Sequence, residues 1–282
     1  MSASSVRATH RPALPPVFVE GLAVWAPRWP SWSQAQAAFR GEDVAVEPPA
    51  KRPAPLLLPP TERRRAPDTV ALALEVASQA IDGSGQAAAD LPCVFTSAHG
   101  DLAINDTMCS TLAESPTLLS PTKFHNSVHN AAAGYWTMGT GCMQTSTAVS
   151  AFEHSFAAGL LEALSFCVAE QRAVLLVGYD TQACGALSTV TKSQGLLAVA
   201  LVLAPQRSAH TRIALDWALG PDFSRRTALR SSAAQSLSGN AMADALPLFE
   251  ALAQPALNTG PAPVVVDLPL SSHSGLRIHL RP

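Results

Sequence analysis

Several things are missing from this chain of 282 residues, and each absence excludes a class. No run approaches the roughly 20 apolar residues needed to cross a bilayer. The first 15 residues are polar with scattered proline and lack the apolar middle of a secretory signal. A soluble, cytoplasmic chain with no membrane insertion is expected. There is no C-x-x-C, no Cys/His metal spacing, no G-x-G-x-x-G and no phosphate-cradling loop. The five cysteines, Cys93, Cys109, Cys142, Cys167 and Cys184, lie mostly in apolar runs and read as buried free thiols, so no metal is expected. A net charge of -2 gives no footprint for nucleic acid or an anionic surface.

What is present is core. Hydrophobic residues make up 48% and charged residues 14%, which excludes general disorder. "PVFVEGLAVWAP" reads as a buried strand closed by proline, and "SWSQAQAAFRGE" as a short helix capped by Ser31 and ended by Gly41. Residues 47–67, rich in Pro and Arg, read as a loop, with Asp68 capping the helix that follows. "LPCVFTSAHGD" and "RAVLLVGYD" are buried strands, the second of parallel type. "GLLAVALVLAP" and "RIALDWALG" suggest a hairpin, and residues 221–240 a long polar loop. A helix despite Pro247 and two short strands close the chain. The order is α/β, with residues 1–15 as a flexible tail and 16–282 as a single domain.

The most informative stretch is "STAVSAFEHSFAAGLLEAL". It reads as a strand from Ser146 to Ser150, a turn holding Phe152, Glu153 and His154, and a helix from Ser155 with Phe156, Leu160, Leu161 and Leu164 at helical spacing. Such turns often present a nucleophile, because a helix N-terminus stabilises developing negative charge. Here an acid stands in that place. Ser155 lacks the small flanks of a hydrolase elbow. His125 and His129 stand at i, i+4 but have no glutamate between them and no third ligand, so they read as polar histidines of a cleft. Arg63, Arg64 and Arg65 read as a solvated run, or as a patch for an acidic carrier protein.

"SPTKFHNSVHNAAAGYW", followed by that stretch and by "AVLLVGYD", resembles the first half of a β-ketoacyl-acyl carrier protein synthase. Within that group it is similar to the ketoacyl-synthase-like chain length factors of aryl polyene and xanthomonadin-type pathways. The resemblance is densest from Ser120 to Asp180 and implies a thiolase-like fold, layered αβαβα, with a shortened second half. Asn130 matches the family's N-x-x-A-G asparagine, and Gly134, Gly141 and Gly178 match its glycines. The same register brings the nucleophilic cysteine onto Glu153. "SGNAMADALPLFEAL" resembles a later helix of the synthases and puts Asn240 where they carry a histidine; the other histidine motif has no counterpart.

The resemblance therefore implies no catalytic residue in this chain. It implies a non-catalytic subunit paired with an active synthase as a heterodimer, in polyketide or fatty-acid-type biosynthesis. The strand Thr145, Ser146, Thr147, Ala148, Val149, Ser150 and Ala151 would lie on the dimer axis, and Lys123, Phe124, His125, His129, Phe152, Glu153 and Phe156 would bound the acyl tunnel. No bound cofactor is expected; the phosphopantetheine of an acyl carrier protein would approach the partner's site. Two alternatives stay open: a carrier-protein-dependent decarboxylase or hydrolase using Glu153 with His154 or His125, and a structural homodimeric scaffold.

Overall fold

A computed structural model describes residues 14–191, 193–254 and 263–282. The expected tail falls almost wholly outside them. Strands β1 (Val17–Trp25), β2 (Cys93–Thr96), β3 (Ser146–Val149), β4 (Val174–Asp180), β5 (Leu197–Ala204), β6 (Ile213–Gly220), β7 (Val264–Ser271) and β8 (Ser274–Arg281) form one mixed sheet, ordered β3-β2-β4-β5-β1-β6-β8-β7. The helices are α1 (Trp32–Phe39), α2 (Pro60–Arg65), α3 (Asp68–Asp82), α4 (Leu102–Glu114), α5 (Pro121–Ser127), α6 (Ala131–Thr140), α7 (Ser155–Glu170), α8 (Ser232–Ser236) and α9 (Leu246–Leu252).

The sheet has two kinds of strand, and composition explains both. β4 (VLLVGYD) and β5 (LAVALVLA) are buried along their whole length, with apolar side chains on both faces. Below them α3 and α6 fill one layer with Val70, Leu74, Trp136 and Phe95 of β2. Above them α7 and α9 fill a second layer, which the other half of the sheet covers through Val266, Leu268, Leu276 and Ile278. That half alternates. In β8, Arg277 and Arg281 pair with Asp267 and Asp216 across the strands, on the face turned from the core. The 3-10 turn Pro221–Phe223 packs on this charged face, where the Arg277 guanidinium lies 4.1 Å from the centre of the Phe223 ring.

Several local expectations are corrected. β5 and β6 do not form a hairpin: β1 lies between them, pairing antiparallel with both. Its run of apolar residues seeks partners on both edges, and β6 pairs along its length with β8 instead. The 47–67 segment carries α2, opened by Pro60 at a first-turn position where its missing N–H costs nothing. Arg63 ties this segment together through the carbonyls of Leu58 (2.9 Å) and Leu56 (3.4 Å), while Arg64 and Arg65 are exposed. Asp68 does not cap α3; it lies in the first turn and pairs with Arg52 at 2.9 Å. The 221–240 loop contains α8. Gly134 does not close its helix and has no neighbour within 4 Å of a built Cβ; Gly141, with φ +70, ends α6.

Two glycines allow close approaches to the sheet, Gly159 on α7 and Gly178 on β4, the second beneath the 3-10 segment Ala241–Ala245. A Cβ on Gly159 would stand 2.9 Å from the Thr96 side chain, and one on Gly178 would stand 2.8 Å from Met242 Sδ. Replacing Gly159 by Val should therefore destabilise the fold by about 1–3 kcal/mol through overpacking. The denaturant midpoint should fall with an unchanged slope.

Candidate functional site

The link from β3 to α7 is a strained turn. Phe152 has φ +53, a left-handed conformation uncommon for a bulky side chain. The strain is thus one place before Glu153. Ser155 clasps the turn: its Oγ accepts from Ala151 N (3.0 Å) and donates to the Phe152 carbonyl (2.8 Å). Both bonding directions are used, and the residue is fully buried, so Ser155 is a brace. Glu153 is exposed; its backbone carbonyl, not its carboxylate, accepts from Arg226 Nη2 at 2.9 Å.

The acid that meets the start of α7 is a different one. Asp244, on the 3-10 segment Ala241–Ala245, is 2% exposed. Its Oδ2 accepts from Phe156 N (2.9 Å) and Ala157 N (3.2 Å), and its Oδ1 is buried without a hydrogen-bond partner. Burial pushes the Asp244 carboxyl up to about 7, against the opposing pull of the Arg226 charge and the two N–H groups. The expectation that Glu153 occupies this helix terminus is corrected.

Asn240 is equally constrained. Its Nδ2 donates to the carbonyls of Gln194 (2.9 Å), Gly195 (3.2 Å) and Asp180 (3.3 Å), and its Oδ1 accepts from Met242 N (2.9 Å). Asp180 ends β4, accepting from Ser97 Oγ (2.7 Å) and Ala98 N (2.9 Å); burial raises it to about 7 as well. His99 shares a 2.7 Å hydrogen bond with Thr191 Oγ1 and meets the Phe152 ring edge-on at 5.5 Å; burial lowers its pKa. His99, Thr191, Asn240 and Asp244 line a cavity of about 560 Å3.

Of the residues expected at the tunnel, the structure brings Phe152 and Glu153 to this cavity, and Asn240, the position matched to a histidine, lines it with them. Phe156 is not there: it is fully buried, 5.9 Å from the Phe249 ring, and anchors α7 in the core. Lys123, Phe124 and His125 are exposed on α5. His129 lies beyond the end of that helix, so the two histidines do not share a helical face, and its Nε2 meets the Ser97 carbonyl at 2.9 Å. No group of three metal-ligating side chains occurs among the described residues. Residues not foreseen are His99, Thr191, Arg226 and Asp244. Asp244 left one signal, a lone acid inside the apolar run "AMADALPLF".

β3 stands at the end of the sheet. Its carbonyls at Thr145 and Val149 accept from Cys93 N and Ser97 N of the β2 side. Alternation along a strand then turns the N–H and C=O of Ser146 and Ala148 outward. Large apolar side chains are exposed in the stretch that leads to β3, among them Phe124 (62%), Val128, Met138 and Met143 (85% exposed), the last of them three places before the strand.

The chain belongs to the family described as beta-ketoacyl synthase, N-terminal domain, which matches residues 29–260. Its fold is accordingly that of the thiolase-like ketosynthases, and solved structures agree. One is a ketosynthase in complex with its chain length factor from Xenorhabdus doucetiae (23% identity, 93% of this chain and 98% of that one, TM-score 0.67). Another is the ishigamide ketosynthase/chain length factor (15% identity, 95% and 99% coverage, TM-score 0.68). A third is a type II polyketide acyl-carrier protein in complex with its ketosynthase (9% identity, 95% and 99% coverage, TM-score 0.71). No curated protein sequence matches the chain.

The raised carboxyls carry a pH signature. Asp180 and Asp244 bind a proton up to about 7 when folded, against an ordinary value of 3.8. Between those values the folded state holds more protons than the unfolded state. Their stabilisation is complete below about pH 4 and is lost as pH rises through about 7. The urea midpoint should therefore be lower at about pH 8 than at about pH 5, and Asp180→Asn should shrink that difference.

Proposed function

We propose that this chain is a non-catalytic chain length factor: a subunit that pairs with an active β-ketoacyl-ACP synthase and shapes its acyl tunnel. The observation that carries the reading is the state of the turn at the head of α7. Condensation needs a thiolate to take the acyl chain, with donors for the oxyanion. In this turn Ala151, Phe152, Glu153 and His154 offer no thiol, and Ser155 is spent on holding the backbone. The first α7 N–H groups are already taken by Asp244, and the side-chain amide of Asn240 is bound to backbone carbonyls.

A protein that keeps this architecture without its chemistry has a use for the architecture itself. The outward N–H and C=O groups of β3 are a template for another strand, and exposed edges of this kind are normally paired or guarded. Exposed Met143 just before this strand, with Met138, Val128 and Phe124 earlier in the same stretch, adds apolar surface suited to burial. A synthase of the same fold would continue the sheet across the junction. Phe124, held out from α5, is the aromatic that reaches into the partner's pocket and limits chain length, in a polyene or polyketide-type pathway. The carrier protein's phosphopantetheine enters the partner's site.

The isolated chain should show no condensation with acyl- and malonyl-carrier protein above a no-protein control, and turnover at a synthase rate would overturn the reading. Co-expression with a synthase bearing the cysteine and both histidines should yield a stoichiometric complex. Ala148→Pro removes an outward donor while leaving the β2 bonds intact, and should abolish co-purification without unfolding the chain. Full retention of the synthase would show that β3 is not the interface.

Within an intact complex, Phe124→Ala should shift products toward longer chains. Phe156→Ala offers the contrast, since it should cost about 3–5 kcal/mol of stability as a core truncation. An unchanged product distribution with Phe124→Ala would remove the tunnel role.

A further inference from the structure

The cavity below the turn contains one feature that loss of the nucleophile does not require. α7 runs for 16 residues and begins at this cavity. Its first free N–H groups point where an anion would be favoured, since partial positive charge gathers at a helix N-terminus. That place is filled by a side chain 88 positions away in sequence: one oxygen of Asp244 accepts from both Phe156 N and Ala157 N. The contact is not local capping, because the turn already has its own brace in Ser155. Nor is it a complete polar knot. The second carboxyl oxygen, Oδ1, is buried at the cavity wall with no partner among the described residues. A carboxyl group buried at this depth with an idle oxygen is costly, so its two N–H bonds must matter where they are made.

We propose that the Asp244 carboxyl is the resident acceptor of this cavity: a specificity-determining group that fills the seat at the head of α7 and so bars anionic ligands and oxyanions from it. The seat itself is sound. Two converging N–H groups, a 16-residue helix behind them and the Arg226 guanidinium at the rim make a site for a small anion once the internal carboxyl group is withdrawn. With Asp244 in place, an incoming anion would meet an occupied seat and no free donors. The cavity is left to uncharged groups. This holds whether or not the chain pairs with a synthase.

The test uses the full chain and inorganic phosphate, read by the backbone amide resonances of Phe156 and Ala157 and by the thermal midpoint. In the wild-type protein both amides should ignore phosphate. In Asp244→Ala they should shift saturably in the millimolar range, and the midpoint should rise with phosphate. Asp244→Asn keeps an oxygen over the two N–H groups and should ignore phosphate as the wild type does. If Asp244→Ala does not fold, Asp244→Ser, whose hydroxyl is too short to fill the seat, replaces it. Saturable movement of these amides in the wild-type protein would overturn the proposal, as would a folded Ala or Ser variant that ignores phosphate.

Discussion

The pair of hydrogen bonds from Phe156 N and Ala157 N to Asp244 is the interaction on which the rest of this structure depends. α7 lies between the two halves of the sheet, so its N-terminus cannot turn to water for partners. Something inside the protein must satisfy those N–H groups. Asp244 does so from the second half of the chain, and the contact ties together the two layers that α7 separates. Asn240, four places earlier, anchors the same segment to the end of β4. The head of α7, the end of β4 and the 3-10 segment are therefore fixed as one unit. Within it, Glu153 is free to face outward because its position at the turn has no structural duty left to perform.

The two edges of the sheet are managed differently, and the difference is functional in direction. At the far end, the outward face of β6, β8 and β7 is laced by Arg277–Asp267 and Arg281–Asp216, a surface built to remain wet. At the near end β3 is made of small and β-branched residues, with no charge and no proline to guard it. Natural sheets seldom leave such an edge unguarded. Exposed apolar side chains come from α5 and the residue that ends it, from α6 and from the segment entering β3, all within the stretch 121–149. One continuous piece of sequence thus supplies the open strand and the exposed apolar side chains that precede it.

Sequence order made some of this legible and hid the rest for physical reasons. The strand, turn and helix at Ser146–Leu164 were readable because a switch in hydrophobic period is local information. β4 and β5 were readable as fully buried strands from unbroken apolar runs. The pairing of β5 was not, since β1 reaches it from more than 170 residues earlier, and adjacency in sequence favoured a hairpin that the fold does not make. The acid at the turn stands out in the sequence, whereas the acid that holds the helix does not. A carboxylate's role depends on which N–H groups lie within 3.2 Å, and for Asp244 those are 87 and 88 positions away. Phe156 shows the same limit from the other side. Its place next to the turn suggested a cavity wall, but helical phase turns it toward Phe249 while Phe152, in a left-handed conformation, turns its ring toward His99.

This last contrast explains why the turn keeps its strain although it carries no thiol. A left-handed phenylalanine costs on the order of 1–3 kcal/mol and persists only where its surroundings over-determine it. Ser155 fixes the turn from one side, and the His99 ring holds Phe152 from the other. His99 is itself held by Thr191 at 2.7 Å, on a loop leading into β5. Relaxing Phe152 would therefore disturb the cavity wall and the entry to α7 together. Strain of this kind is expected where the path of the chain must be conserved even when the chemistry is not. The path from β3 to α7 sets where the open strand ends and where Phe152 projects against His99.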